Sequence, residues 1–145
     1  MRIAQHTIWI DRPRQAVFDY FRDFSKASEW RQYVISMALV DDKPLGVGSR
    51  LRVNIEINGA QQWFDMEVLT YEAPGLWRHR TYESDFKGYV EYRFEPEGPG
   101  TRVTMTIEAK PKTWYGWLGM PLLAISRRKP YSEQLPQLKR SLERK

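Results

Sequence analysis

Residues 50–67 read RLRVNIEINGAQQWFDME, and the Asn58-Gly59 pair near their centre decides the fold. Asn-Gly between two alternating runs is the strongest short hairpin signal. A two-residue turn there sets Val53 opposite Phe64 and Leu51 opposite Met66 on one face. On the other face it sets Arg50 opposite Glu67 and Arg52 opposite Asp65, two pairs of unlike charge that a shifted register would break. One face is therefore apolar and the other solvated.

The same reasoning extends along the chain, which lays down five strand-like stretches between Gly48 and Ala109. A turn centred on Ser84-Asp85 pairs Arg78 with Glu91, and on the opposite face Trp77 with Tyr92 and His79 with Val90. A longer turn across Pro96 to Gly100 sets Glu95 against Arg102, Phe94 against Val103 and Tyr92 against Met105. The resulting meander collects Leu51, Val53, Ile55, Phe64, Met66, Val68, Trp77, His79, Val90, Tyr92, Phe94, Val103, Met105 and Ile107 on its inner face.

Ahead of the meander, Ile3 to Ile10 is strand-like. Pro13 is placed to begin a helix, along which Val17, Phe21 and Phe24 recur at i, i+4 and i+7. A second helical turn spans Ser25 to Trp30, and Tyr33 to Val40 reads as an edge strand. After the meander, Leu118, Leu122 and Ile125 form one helical stripe and Tyr131, Leu135, Leu138 and Leu142 another. Pro130 and Pro136 each remove an amide donor, so a break or kink is expected near Arg127 to Tyr131.

The 145 residues suit one domain over 1–145, long enough to bury about two-thirds of the unfolded surface. The absence of cysteine and of a signal-like N-terminus points to a reducing, cytoplasmic setting. The longest stretch without charge, Thr113 to Ser126, has 14 residues, against the roughly 20 apolar residues of a membrane span. The net charge of +5 is uneven: residues 110–145 carry nine Lys/Arg against two Glu, and residues 1–109 carry fourteen against sixteen acids.

The order of elements, with several short motifs, resembles the START-like, birch-pollen-allergen-like (SRPBCC) superfamily and its polyketide cyclase/dehydrase branch. The matching residues are Ile10-Asp11-Arg12-Pro13 before Val17-Phe18, Trp30 after the second helix, and Gly46-Val47-Gly48 before the third strand. They continue with Glu67-Val68 through Glu72-Ala73-Pro74, Phe94-Glu95-Pro96 with Gly100-Thr101-Arg102-Val103-Thr104, and Leu138-Lys139 with Leu142-Glu143 at the end. The resemblance implies an α+β helix-grip fold: two short helices after the first strand, and a curved seven-stranded antiparallel sheet wrapped around a long C-terminal helix, with a hydrophobic cavity between them. Similar proteins include polyketide cyclases and aromatases, lipid and sterol carriers and quinone-binding proteins, so the fold alone does not settle function. Two departures stand out. Arg31 follows Trp30 where a proline is frequent, and two prolines interrupt the last helix.

The choice between binding and catalysis rests on the inward residues. In the deduced register Asp65, Glu67, Glu91 and Glu108 point outward, which leaves no inward carboxylate pair for acid–base work. No thiol exists, and His6 and His79 lack metal-ligand spacing, so neither a metal nor another cofactor is called for. His79, inward beside Trp77 and Tyr92 where burial perturbs its pKa, is the best candidate for chemistry. With Tyr92 it could polarise a carbonyl or shuttle an enol proton, and both equally suit a satisfied core. Gln62 and Thr81 are candidate polar contacts near the strand ends.

The expected function is binding or transport of a small hydrophobic ligand of lipid, polyketide or aromatic type. Phe64, Met66, Trp77, His79, Tyr92, Phe94, Met105, Trp117, Leu122 and Ile125 are its expected contacts, although the same aromatic residues could fill a solid core. The alternatives are a cyclase or aromatase using His79 and Tyr92, and a lipid or quinone carrier peripheral to the inner membrane face. For the last, Trp114, Trp117, Arg127, Arg128 and Lys129 would meet an anionic membrane surface. The alternating charge of the outer sheet face argues against nucleic acid as a partner.

Overall fold

The register fixed by Asn58-Gly59 is the one the chain adopts. The computed structural model describes residues 2–82, 86–111 and 133–144. In it, β3 (Arg50–Ile57) pairs with β4 (Ala60–Glu72) as Leu51↔Met66, Arg52↔Asp65 and Val53↔Phe64. Asn58 (φ 52°) and Gly59 (φ 81°) both take the left-handed backbone such a tight turn requires. Arg50 and Glu67 pair in the same register; Arg52 Nε stands 3.1 Å from Asp65 Oδ1, and the Glu67 carboxylate also bonds Arg80 on the next strand.

The remaining strands are β1 (Arg2–Ile10), β2 (Val34–Leu39), β5 (Leu76–Tyr82), β6 (Phe86–Glu97) and β7 (Gly100–Pro111). They form one antiparallel seven-stranded sheet in the order β1-β7-β6-β5-β4-β3-β2, with β1 and β2 at its edges. Trp77↔Tyr92, Arg78↔Glu91 and His79↔Val90 hold between β5 and β6. Phe94↔Val103, Tyr92↔Met105 and Glu95↔Arg102 hold between β6 and β7. The turn at Ser84-Asp85 lies outside the described residues. Register does not fix ion partners, however: Arg78 reaches past Glu91 to Glu108 at 3.2 Å.

One feature of the sheet has no counterpart in the alternation pattern. A bulge between Val68 and Thr70 shifts the β4–β5 pairing so that Tyr71 faces Trp77. An extra residue on one strand reverses the in–out alternation beyond it, so Tyr71 joins Met66 and Val68 on the inner face and packs against the core.

Helix α1 (Arg14–Phe21) buries Val17, Phe18, Tyr20 and Phe21. Pro13 caps this helix in an extended conformation (ψ 152°) instead of forming its first turn. The helix stops before Phe24, which opens a short 3₁₀ turn (Phe24–Lys26) that leads directly into α2 (Ala27–Trp30). Asp23 stabilises that restart, its side chain accepting from the Ser25 amide at 3.1 Å.

The C-terminal helix α3 (Gln134–Glu143) buries Leu135, Leu138 and Leu142 as the spacing requires. Pro136 does not interrupt it. The residue sits in the first turn, where a backbone N–H has no intrahelical acceptor to lose. The kink expected near Arg127 to Tyr131 lies outside the described residues. Helix α3 is pinned at both ends. Gln137 Nε2 donates to the Glu29 carbonyl at 3.2 Å, and Lys139 Nζ donates to the Trp9 carbonyl at 2.8 Å and to Glu143 at 2.7 Å. The Asp11 amide, with Lys139, holds the Glu143 carboxyl below its ordinary pKa. The core lies between the inner sheet face and these helices.

Candidate functional site

An apolar sheet face closed by helices needs few polar groups, so each one present invites a reason. Strand β5 supplies the central one. Trp77 and His79, two residues apart, both point inward, and both are buried. The Trp77 indole Nε1–H donates to His79 Nδ1 at 2.8 Å. An indole can only donate, so Nδ1 is an acceptor and the ring proton resides on Nε2. Burial drives the His79 pKa down to about 3, helped by the positive charge of Arg31. The ring is therefore a neutral imidazole through the physiological range, offering Nε2–H as a donor. Among the described residues Nε2 has no hydrogen-bond partner.

Tyr92 lies across from Trp77 on β6, its ring centroid 6.3 Å from that of His79. Its hydroxyl donates to Gln134 Oε1 at 2.8 Å, joining the sheet to the first residue of α3. Arg31, at the end of α2, is only 4% exposed. Its guanidinium packs against three rings, 4.3 Å from the Trp30 centroid, 5.1 Å from Phe21 and 5.8 Å from Tyr92. Such contacts stabilise a partly desolvated cation by about 0.5–2 kcal/mol each.

The other expected contacts divide into groups. Phe94 and Trp77 are closed over from α1: Phe21 approaches Phe94 at 5.1 Å and Trp77 at 5.4 Å edge-on, and Phe18 meets Phe94 at 5.2 Å. The aromatic residues of the sheet thus pack on Phe18, Phe21 and Trp30. Met105 is fully buried beside Tyr92, and Met66 is buried opposite Thr81. Phe64 is half-buried toward the far end of β4. Thr81 is buried with its hydroxyl 3.5 Å from the Gly88 carbonyl, whereas Gln62 is exposed on the rim. Trp114, Trp117, Leu122, Ile125, Arg127, Arg128 and Lys129 lie outside the described residues. An open groove of about 720 Å³ also exists, lined by Arg50, Arg52, Trp63, Phe64 and Asp65. It is spanned by the Arg52–Asp65 pair and is remote from His79 in the strand register.

Arg31 and Gln134 complete this polar cluster, and the sequence reading did not assign either to it. Arg31 stood out only as a departure from a frequent proline. Gln134, Leu138 and Ser141 recur at i, i+4 and i+7, a spacing that marks a second buried stripe on α3 beside the leucines. Among the described residues no group of His, Asp and Glu could hold a metal ion. No helix among them is long and apolar enough to cross a membrane.

A seven-stranded antiparallel sheet, two short helices after the first strand and a C-terminal helix across the inner face define an α+β helix-grip domain. The chain belongs to the family described as polyketide cyclase / dehydrase and lipid transport, whose model matches residues 1–143. Among solved structures, a protein from Thermus thermophilus aligns with a TM-score of 0.74 at 21% identity, over 97% of each chain. Ara h 8.0201 aligns at 0.78 with 9% identity, over 98% of this chain and 97% of that one. A protein of the dynemicin biosynthetic locus aligns at 0.68 with 16% identity, over 97% of this chain and 46% of that one. At these identities the likeness establishes the fold. No curated protein matches the sequence.

Proposed function

We propose that this protein binds and carries a small hydrophobic molecule between the inner sheet face and the C-terminal segment. One observation carries the reading. His79 is a buried, neutral imidazole on an otherwise apolar face, held in one tautomer by Trp77, with Nε2–H lacking a partner among the described residues. A ligand carbonyl, carboxylate or phenol oxygen would accept from that N–H. Met66, Trp77, Tyr92, Phe94, Met105 and the half-buried Phe64 supply the apolar surroundings of such a site. The lipid-transport part of the family's description supports the same reading.

The test is native mass spectrometry of protein purified from its own host, followed by solvent extraction. A stoichiometric copurifying apolar molecule, displaced in His79→Phe, is the expected result. Protein that is empty as purified and also fails to bind fatty acids or aromatic acids would overturn the reading.

A second reading, a cyclase or aromatase, is favoured by the position of Arg31. A fixed positive charge close enough to depress His79, together with a neutral imidazole N–H, is suited to stabilising an enolate oxygen. In that chemistry His79 would polarise a carbonyl and not serve as a base, because Nδ1 is occupied by Trp77 and the ring resists protonation. Turnover of a polyketide-type substrate that survives His79→Gln and Tyr92→Phe would remove both residues from the mechanism.

A further inference from the structure

The inner face carries a second imidazole. His6 lies on β1 opposite the fully buried Met105. Its neighbours in the alternation, Ala4 and Ile8, both pack against the core, so the side chain of His6 points to the same face. Its Nε2 is buried and has no hydrogen-bond partner among the described residues. Water-exposed histidines need no partner, but a buried ring nitrogen on an apolar face calls for one.

The strand order places the two imidazoles apart in a defined way. His79 is in register with Val90, Ile107 and Ala4 across β6, β7 and β1, and His6 lies two residues further along β1. The lateral separation is three strand spacings, about 14 Å, and the offset along the strand is about 7 Å. Sheet curvature shortens the direct path. Between them the row is apolar: Val90, Ile107 and Met105.

Resting on the carrier reading above, we infer that His6 is a specificity-determining contact of the same site. The ligand class it selects is an elongated apolar molecule with hydrogen-bonding groups at both ends. One end accepts from His79 Nε2–H beside Arg31, and the other exchanges a hydrogen bond with His6 Nε2. A molecule polar at one end only leaves His6 unmatched, and a compact ring system cannot reach both imidazoles.

The experiment uses isothermal calorimetry with decanoic, dodecanoic and tetradecanoic acids and their ω-hydroxy counterparts as probes. Wild type is expected to bind the ω-hydroxy acid about tenfold more tightly than the plain acid at one of these lengths. His6→Phe should erase that gain while leaving the plain acid's affinity in place, and His6→Gln should retain part of it. A measurement on the unmodified protein guards against a variant that fails to fold: the His6 ring ¹⁵N resonances should move with the ω-hydroxy probe and not with the plain acid. If plain acids bind but the ω-hydroxyl brings no gain at any length, or the gain persists in His6→Phe, the inference is overturned and the carrier reading stands. If neither kind of acid binds wild type, both fall together.

Discussion

Replacing His79 by glutamine should make the protein less sensitive to acid, and the size of the effect follows from burial. The unfolded chain protonates this imidazole near pH 6.5, whereas the folded chain resists until about pH 3. Between those values the unfolded state binds more protons, so stability falls as pH falls, by about 1.4 kcal/mol per pH unit for a single group. The contribution is fully present above the unfolded value and is lost as pH drops toward the folded one. From about pH 7 to about pH 4.5 it amounts to about 2.5 kcal/mol. Urea denaturation of wild type and His79→Gln across that range is the assay, because carboxylates common to both cancel in the difference. At neutral pH the variant is expected to be less stable, having lost the matched Trp77 donor, and the gap should narrow by about 2.5 kcal/mol toward pH 4.5. Parallel pH profiles would refute the reasoning, as would an imidazolium signal for His79 in the folded protein at about pH 5.

Arg31→Met removes the smaller of the two causes that depress His79, so its titration by NMR should move upward yet remain below the ordinary histidine value, since burial is the larger cause; no movement would place the charge elsewhere. Phe21→Ala empties the position on which Trp30, Trp77, Tyr92 and Phe94 converge. It should cost about 3–5 kcal/mol in denaturant unfolding, and a loss under about 1 kcal/mol would contradict the packed arrangement. In Gly100→Ala the new Cβ would stand 2.3 Å from the Ile10 carbonyl and 2.6 Å from the Trp9 indole. Edge strand β1 must shift to admit it, at about 1–3 kcal/mol, with faster hydrogen exchange along Arg2–Ile10; unchanged exchange would show that the close approach is absent.

What the sequence disclosed depended on how local each signal was. A two-residue turn fixes pairing by counting, so Asn58-Gly59 gave the β3–β4 register residue by residue, and the cross-strand charges confirmed it. The bulge at Leu69 was not legible, because one extra residue in a long strand leaves no compositional mark, and Tyr71 was missed with it. Trp77, His79 and Tyr92 were legible as inward neighbours since strand alternation places them. Their closure by Phe18 and Phe21 was not, because it depends on the docking of α1 over the sheet. Arg31 was hidden for a further reason: arginine after a tryptophan reads as a solvated helix end, and the three rings that pack on it come together only in the fold.

The central claim is that the His79 Nε2–H serves a bound ligand. A high-resolution crystal structure of protein purified from its own host, without added ligand, tests it most directly. The account predicts non-protein density with an acceptor atom within hydrogen-bond distance of His79 Nε2. A core in which side chains of this chain fill that position and bond Nε2 themselves would contradict it.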